Sequence, residues 1–90
     1  MAKGIKILVI EDDPFLNKVY MNKLSQEGFV VSTAMDGLSG LEKAREQKPS
    51  LVVLDVILPK MNGFEVLEEL KKDPAVKHIP VIIISNLGQV

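Results

Sequence analysis

Four carboxylates stand where two apolar runs end, and this pattern is the strongest chemical signal in the sequence. Glu11-Asp12-Asp13 follows one run, and Asp55 closes the run that begins at Leu51. Like charges held together repel each other unless a cation neutralises them. Carboxylate oxygens are hard ligands that suit Mg²⁺, and a carboxylate beside Mg²⁺ is able to attack phosphorus and form an aspartyl phosphate. The pattern therefore predicts a divalent-cation site that contains a candidate nucleophile.

Each of these acids also has a simpler interpretation. Asp13 precedes Pro14, and an acid followed by proline is typical of a helix N-cap and its first helical residue. Asp13 could cap a helix only, or cap it and help to hold the metal. A single acid after a strand is usually a solvated turn residue, whereas three in a row with a fourth after another strand favour a site.

Alternating apolar runs and helical periodicities predict how the acids are positioned. Helices are expected after Asp13, after Asp36 and from Gly63. The order β-α-β-α-β-α-β implies a mostly parallel sheet with right-handed crossovers and helices on both faces. Ligands of such sheets bind at the carboxyl ends of the strands, where the acids converge if the first and third strands are neighbours. The predicted strands are Ile5–Ile10, Phe29–Ala34, Leu51–Asp55 and Val81–Ile84.

Each predicted helix carries apolar residues at helical spacing, which is typical of an apolar helix face, and Tyr20 is expected to lie in the core. The apolar residues are Leu16, Val19, Tyr20 and Leu24 in the first helix, Leu38, Leu41 and Ala44 in the second, and Phe64, Leu67 and Leu70 in the third.

Composition narrows the classes of protein. The chain has 90 residues, 47% of them hydrophobic, and a net charge of −1, which suits one small globular domain. Its Lys and Arg residues form no dense patch, so direct nucleic-acid binding is not expected. It has no cysteine, which excludes disulfides and thiolate chemistry. The apolar stretch Ile79–Ile84 is far too short to span a bilayer, and no signal-peptide core precedes Glu11, so a cytoplasmic location is expected.

The segment from Asp55 to Glu65 carries a family resemblance. It places Leu58-Pro59, Met61 and Gly63 at fixed spacing after the third strand, and a serine follows the fourth strand. With the acids after the first strand, these features closely resemble a response-regulator receiver domain, the phosphoacceptor module of two-component signalling. The resemblance covers essentially the whole chain. It implies a flavodoxin-like three-layer fold with a parallel sheet of order 2-1-3-4.

The resemblance also implies a role for particular positions, with Mg²⁺ as the cofactor and a histidine kinase as the phosphoryl donor. It implies a phosphoacceptor rather than an enzyme, with at most weak self-dephosphorylation. The implied roles are Asp55 as phosphoacceptor, Asp12 and Asp13 as metal ligands with Asp55, Glu11 as an accessory acid, the backbone carbonyl of Ile57 as a further metal ligand, and Ser85 as the switch hydroxyl.

The sequence departs from the family pattern after its fourth strand. Receiver domains have five βα units, so residues 1–90 are interpreted as a single truncated receiver domain whose fifth unit is missing. The family's lysine at the end of the fifth strand has no counterpart in these 90 residues, and phosphotransfer should therefore be slower. Asn86 follows Ser85 where the family usually has a small residue.

Two other functions compete with the signalling role. The strand Val81–Ile84 is apolar enough for a sheet interior, and an exposed apolar edge is a template for association. The chain could thus act as a self-associating module, dimeric or domain-swapped, without signalling activity. A phosphatase or flavin protein on a similar fold is disfavoured. No glycine-rich phosphate loop follows the first strand, and Asp55-Val56-Ile57 lacks the second acid of aspartate-nucleophile phosphatases.

Overall fold

Four parallel strands and three helices alternate along the chain in the computed structural model, which describes residues 4–84. The strands pair in the order β2-β1-β3-β4, which confirms the predicted α/β class and strand order. The first two strands each begin one residue later than predicted. The elements are β1 Lys6–Ile10, α1 Pro14–Gln26, β2 Val30–Ala34, α2 Gly37–Gln47, β3 Leu51–Asp55, α3 Gly63–Lys72 and β4 Val81–Ile84.

The register of the sheet brings the ends of its two central strands to the same level. Ile10 pairs with Ala34 on β2 and with Leu54 on β3. In the pair of Ile10 and Leu54, each residue is followed by an acid. Glu11 follows Ile10 directly after β1, and Asp55 follows Leu54 as the last residue of β3. Because parallel strands all point the same way, both acids lie at the carboxyl edge of the sheet.

The helices cover the two faces of the sheet unequally. The chain moves from β1 to β2 in one direction and from β2 through β3 to β4 in the other, so right-handed crossovers place α1 on one face and α2 with α3 on the opposite face. We call these the α1 face and the α2/α3 face. The main core lies on the α2/α3 face, and its residues are Leu8, Ile10, Ala34, Leu41, Ala44, Val52, Leu54, Leu58, Val66, Leu70, Val76 and Ile79.

Each helix begins at a side chain that satisfies free backbone amides. Asp13 caps α1, Asp36 caps α2 through the amide of Ser39, and Asn62 caps α3. Asn62 and Glu65 form a reciprocal capping box, in which each side chain accepts a hydrogen bond from the other residue's amide. These caps fix where each helix leaves the carboxyl edge of the sheet. None of the helices within residues 4–84 is long and apolar enough to cross a membrane.

Three residues of the apolar helix patterns are not buried. Val19, Leu38 and Phe64 are exposed, Phe64 by 61%. The inward face of α2 instead contains Gly37, Gly40, Leu41 and Ala44, and that of α3 contains Gly63, Val66 and Leu70. Glycines occupy inward positions at which a Cβ atom would clash, Gly37 with the carbonyl of Met61 in the β3–α3 loop and Gly63 with the carbonyl of Asp55. Large neighbours such as Leu38 and Phe64 are therefore turned outward by about 100°.

Candidate functional site

Three carboxylates meet at the carboxyl edge of the sheet. One carboxylate oxygen each of Glu11, Asp12 and Asp55 lies within 4.8 Å of the others. Glu11 and Asp55 are 0% and 1% exposed, whereas Asp12 is the more accessible member. Charges buried this close together are costly unless a cation neutralises them. The three oxygens form a hard, partly open ligand set of the kind that Mg²⁺ accepts together with water.

Backbone amides orient two of the three carboxylates. The amide of Asp13 donates to Glu11 Oε2 over 3.0 Å, and the amide of Ile57 donates to Asp55 Oδ1 over 3.3 Å. The side chain of Ile57 is exposed, and its amide hydrogen bond fixes the first turn of the chain after β3.

The structure separates the three consecutive acids into two roles. Asp13 Oδ1 accepts hydrogen bonds from the amides of Phe15 (2.9 Å) and Leu16 (3.2 Å), so this carboxylate is the N-cap of α1. The cluster is formed by Glu11, Asp12 and Asp55, whereas Asp12 and Asp13 were predicted as metal ligands with Asp55, and Glu11 was predicted as an accessory acid. A metal-binding role for Asp13 stays a prediction, but the geometry supports Glu11 in its place.

A buried asparagine that the sequence analysis did not single out fixes the end of β1. Asn17 Nδ2 donates to the carbonyl of Glu11 over 2.9 Å and to the carbonyl of Ala34 over 3.4 Å. The Glu11 amide also donates to the carbonyl of Ala34 over 3.0 Å. Asn17 therefore attaches α1 to the strand ends beside the acids. The signal in the sequence was a polar residue at an inward helical position, next to Leu16 and Tyr20.

Gly63 allows α3 to begin directly against the end of β3. Its amide donates to the carbonyl of Val56 over 2.8 Å. A Cβ atom at this position would lie 2.3 Å from the carbonyl oxygen of Asp55, which is too close for any other residue without a shift of the backbone. The predicted start of a helix at Gly63 is confirmed and has a steric reason, because the glycine lets α3 pack beside the candidate phosphoacceptor.

The loop between β3 and α3 is packed on the start of α2. The amide of Gly37 donates to the carbonyl of Pro59 over 3.3 Å, and a Cβ atom on Gly37 would lie 2.0 Å from the carbonyl oxygen of Met61. Lys60 adopts a positive φ of 70° and places its ammonium 3.8 Å from Asp36 Oδ2. The loop that follows Asp55 is thus held by the second helix rather than by its own residues alone.

Tyr20 is half-buried on α1, and the charges of the acids affect the pKa of its phenol. Partial burial raises the pKa of Tyr20, and the negative charges of Glu11 and then Asp55 raise it further. Tyr20 was predicted to lie in the core, and it is only partly buried. Ser85, the predicted switch hydroxyl, and Asn86 lie outside the described residues.

Comparison with known proteins places the chain in a family. Residues 7–90 match the response regulator receiver domain. The chain is 43% identical over 82 residues to the response regulator PleD of Caulobacter vibrioides, covering 91% of this chain and 18% of that protein. It superposes on the N-terminal domain of a response regulator receiver protein from Methanoculleus marisnigri JR1 with a TM-score of 0.84 at 38% identity, covering 87% of this chain and 63% of that one.

A third likeness concerns the fold alone. The receiver domain of the sensor histidine kinase PA1611 from Pseudomonas aeruginosa PAO1 superposes with a TM-score of 0.90 at 24% identity, covering 96% of this chain and 70% of that one. That structure has a magnesium ion coordinated in its own active-site cleft.

The chain belongs to the response regulator receiver domain family, whose members serve two-component systems. Receiver domains interact with histidine kinases, bind Mg²⁺ at an acidic cluster and are generally not catalytic enzymes. The flavodoxin-like fold predicted from the resemblance is confirmed. The chain spans about a third or less of the curated relatives RpaA and PleD, so the activities of those longer proteins are not carried over to it.

Proposed function

We propose that this chain accepts a phosphoryl group on Asp55 from a histidine kinase, with Mg²⁺ held by Glu11, Asp12 and Asp55. The observation that carries the proposal is the meeting of these three carboxylates within 4.8 Å, two of them buried, at the carboxyl edge of a receiver-type sheet. The backbone carbonyl of Ile57 and the hydroxyl of Ser85 remain predicted contributors from the family resemblance.

The chemistry is a transfer between two nucleophiles. The P–N bond of a phosphohistidine breaks while a P–O bond forms to Asp55, and the imidazole keeps the electron pair and takes up a proton. Bound Mg²⁺ would neutralise charge on the transferred oxygens. The amide of Ile57 orients Asp55, and Gly63 leaves space for the loop beside it.

The test compares neighbouring acids that the structure assigns to different roles. The chain is incubated with a small acyl phosphate, with and without Mg²⁺, and the phosphorylated fraction is measured by intact mass. Wild type should be labelled only with Mg²⁺, and Asp55→Asn should not be labelled. Asp12→Asn removes a charge from the cluster, so it should weaken Mg²⁺ binding and strongly reduce the phosphorylated fraction.

Asp13→Asn is the matched control, because asparagine is also a good N-cap and the substitution lies outside the cluster. Its labelling should stay close to wild type. Labelling that survives Asp55→Asn would contradict the assignment of the phosphoacceptor. Equal losses in Asp12→Asn and Asp13→Asn would contradict the ligand set and would restore the metal-binding role predicted for Asp13.

A second candidate function, self-association through β4, is favoured by one observation. Among the described residues β4 pairs only with β3, and Ile82 is 51% exposed opposite Val53. A second copy of the chain that covers Val81–Ile84 would bury this apolar edge. Light scattering over a dilution series should then give a dimer that Ile82→Lys dissociates. Val30→Lys on the opposite edge strand is the control, and a wild-type monomer at all concentrations would contradict the proposal.

A further inference from the structure

Asn17 contacts the chain on both sides of Asp12. Its side-chain Nδ2 donates to the carbonyl of Glu11 over 2.9 Å, and its backbone amide donates to the carbonyl of Asp13 over 2.8 Å. The first carbonyl belongs to the peptide group that joins Glu11 to Asp12, and the second belongs to the residue after Asp12. One residue of α1 therefore holds both ends of the short turn that carries the most accessible acid of the cluster.

The side chain of Asn17 makes its contacts in a buried setting. It is 8% exposed, and Nδ2 also donates to the carbonyl of Ala34, at the end of β2, over 3.4 Å. Helical side chains lean toward the N-terminus of their helix, so a residue near the start of α1 is directed at the strand ends. Hydrogen bonds are stronger where water is excluded. The Asn17 amide is therefore a firm link between α1 and the ends of β1 and β2.

The turn that Asn17 holds also fixes the carboxylate of Glu11. The amide of Asp13 donates to Glu11 Oε2 over 3.0 Å, while Asp13 Oδ1 caps α1. The peptide group between Glu11 and Asp12 is planar, so a rotation of its carbonyl moves the backbone of both residues together. Loss of the Asn17 hydrogen bond would release that rotation. The carboxylates of Glu11 and Asp12 would then lose their fixed position beside Asp55.

We propose that Asn17 is a positioning residue of the metal site, which holds the carboxylates of Glu11 and Asp12 in the arrangement that binds Mg²⁺ through its hydrogen bond to the Glu11 carbonyl. The inference rests on the proposed function, because it concerns the cation that the proposed phosphoryl transfer uses. Carboxylates repel each other before a cation binds, so a free backbone would let them move apart. A backbone fixed in advance lowers the ordering cost of binding. Asn17 acts through the backbone and supplies no ligand atom.

Asn17→Leu tests the hydrogen bond, because leucine is similar in size and favours a helix but has no donor. Mg²⁺ alone is titrated into the isotopically labelled chain and followed by NMR. The amides of Asp13 and Ile57 donate to carboxylates of the cluster, so their chemical shifts report the dissociation constant. The affinity should fall by about 10–100-fold, as is typical when a residue that orients a metal ligand is removed. The same spectra show that the variant is folded.

Leu24→Ala is the matched control for a loss of stability. Leu24 is partly buried on the same helix but lies at the opposite end from the turn, so its truncation weakens the packing of α1 and leaves the acids in place. Its Mg²⁺ affinity should equal that of wild type. Asn17→Ser is the second variant if Asn17→Leu does not fold. The serine hydroxyl bonds a carbonyl of its own helix and is too short to reach Glu11, so this variant should also lose affinity.

The dependence of phosphorylation on Mg²⁺ concentration gives a second readout. Positioning of the ligands predicts that the Asn17 variants need about 10–100-fold more Mg²⁺ for half-maximal labelling of Asp55 and approach the wild-type fraction at saturating Mg²⁺. A role in stability alone would instead lower the labelled fraction at every Mg²⁺ concentration, and Leu24→Ala would show the same loss.

The outcomes distinguish the inference from the function beneath it. Weaker Mg²⁺ binding in a folded Asn17 variant, with unchanged binding in Leu24→Ala, supports the inference. Wild-type affinity in a folded Asn17 variant, or an equal loss in Leu24→Ala, overturns it and leaves Asp55 as phosphoacceptor. A wild type that binds Mg²⁺ but is not labelled overturns the phosphoacceptor function only, because the titration uses no acyl phosphate. A wild type that binds no Mg²⁺ overturns both.

Discussion

The two faces of the sheet are built from alternate residues of the same strands, yet they differ in closure. On the α2/α3 face, Leu8, Ile10, Val52 and Leu54 are completely buried under two helices. On the α1 face, a single helix covers β1 and β2, while Ile82 on β4 is half-exposed. The α2/α3 face is closed over the central strands and leaves Ile83 of β4 37% exposed, whereas the α1 face is closed only over β1 and β2.

The difference shows how a small sheet separates stability from function. The α2/α3 face supplies the packing that fixes the strand register, and so it sets the level at which the acids meet. The half-open α1 face carries Asn17, whose side chain donates to the carbonyl of Glu11 at the acidic edge. Residues on the closed face should therefore control stability, and residues around the acidic edge should control chemistry.

Isoleucines on the two faces provide the largest expected contrast. Ile10→Ala should lower the free energy of unfolding by about 2–5 kcal/mol, because it leaves a cavity in a filled core. Ile82→Ala removes the same atoms from a half-exposed site and should cost less than about 1 kcal/mol. Urea denaturation of both variants measures the two values.

Equal losses for the two isoleucines would break the contrast between the faces. They would mean that Ile82 is buried in solution, and a protein-concentration dependence of its loss would identify a second copy of the chain as the cover.

A substitution at Gly63 tests whether the packing of α3 against the end of β3 affects both stability and the phosphorylation of Asp55. Gly63→Ala should lower stability by about 1–3 kcal/mol, because the added Cβ atom meets the carbonyl of Asp55 at 2.3 Å and forces the backbone apart. It should also slow labelling of Asp55. Glu68→Ala, at an exposed position of the same helix, should change stability by no more than about 0.5 kcal/mol. Reduced stability with unchanged labelling would show that the site tolerates movement of α3.

Strong local patterns made most of the fold predictable. The buried runs of β1 and β3, the caps at Asp13 and Asp36 and the start of α3 at Gly63 all follow from short-range chemistry. The strand order came from the family resemblance, since periodicity alone leaves the neighbours of β1 open. The buried faces of the helices were harder to predict from the sequence. Hydrophobic periodicity is read from large apolar residues, whereas glycines such as Gly37 and Gly63 occupy the closely packed positions.

The site was predicted as a set of acids but not as a geometry. The turn of the chain between β1 and α1 decides which two of the three consecutive acids face Asp55. Asp13 is not one of them, because its side chain caps α1. Asn17 shows in the sequence only as a polar residue at an inward helical position, and its contacts with two strand ends depend on how α1 packs on the sheet. Such residues are identified only once the elements are packed.

The ionisation of Tyr20 at alkaline pH tests the electrostatic environment of the α1 face. Burial and the charges of Glu11 and Asp55 raise the pKa of Tyr20 above its ordinary value of 10.0. The neutral phenol is favoured in the folded state, so its contribution to stability is complete below the unfolded pKa and is lost as pH rises through the folded one. Ultraviolet titration of the single tyrosine should show late ionisation, shifted toward 10.0 in Glu11→Gln. An unchanged midpoint in that variant would separate Tyr20 from the acids.

The pH dependence of stability in acid tests the ion pair between α2 and the end of α3 on the α2/α3 face, and we expect it to be the smallest of these effects. The amide of Ala75, which donates to Asp73 Oδ1 over 2.9 Å, and then the guanidinium of Arg45, 3.0 Å from Oδ2, hold the pKa of Asp73 below its ordinary value of 3.8 against an opposing effect of desolvation. A lowered carboxylate pKa contributes stability above the unfolded pKa, and this contribution is lost as pH falls through the folded one.

Asp73→Asn keeps an acceptor for the amide of Ala75 and removes only the charge. Its urea midpoint should therefore differ slightly from wild type at neutral pH and converge with wild type in strong acid, because an exposed ion pair stabilises weakly. A difference that persists below the folded pKa would show that the Asp73 side chain acts through packing and not through charge. The closed face would then depend on its α2–α3 contact in the same way as on its buried core.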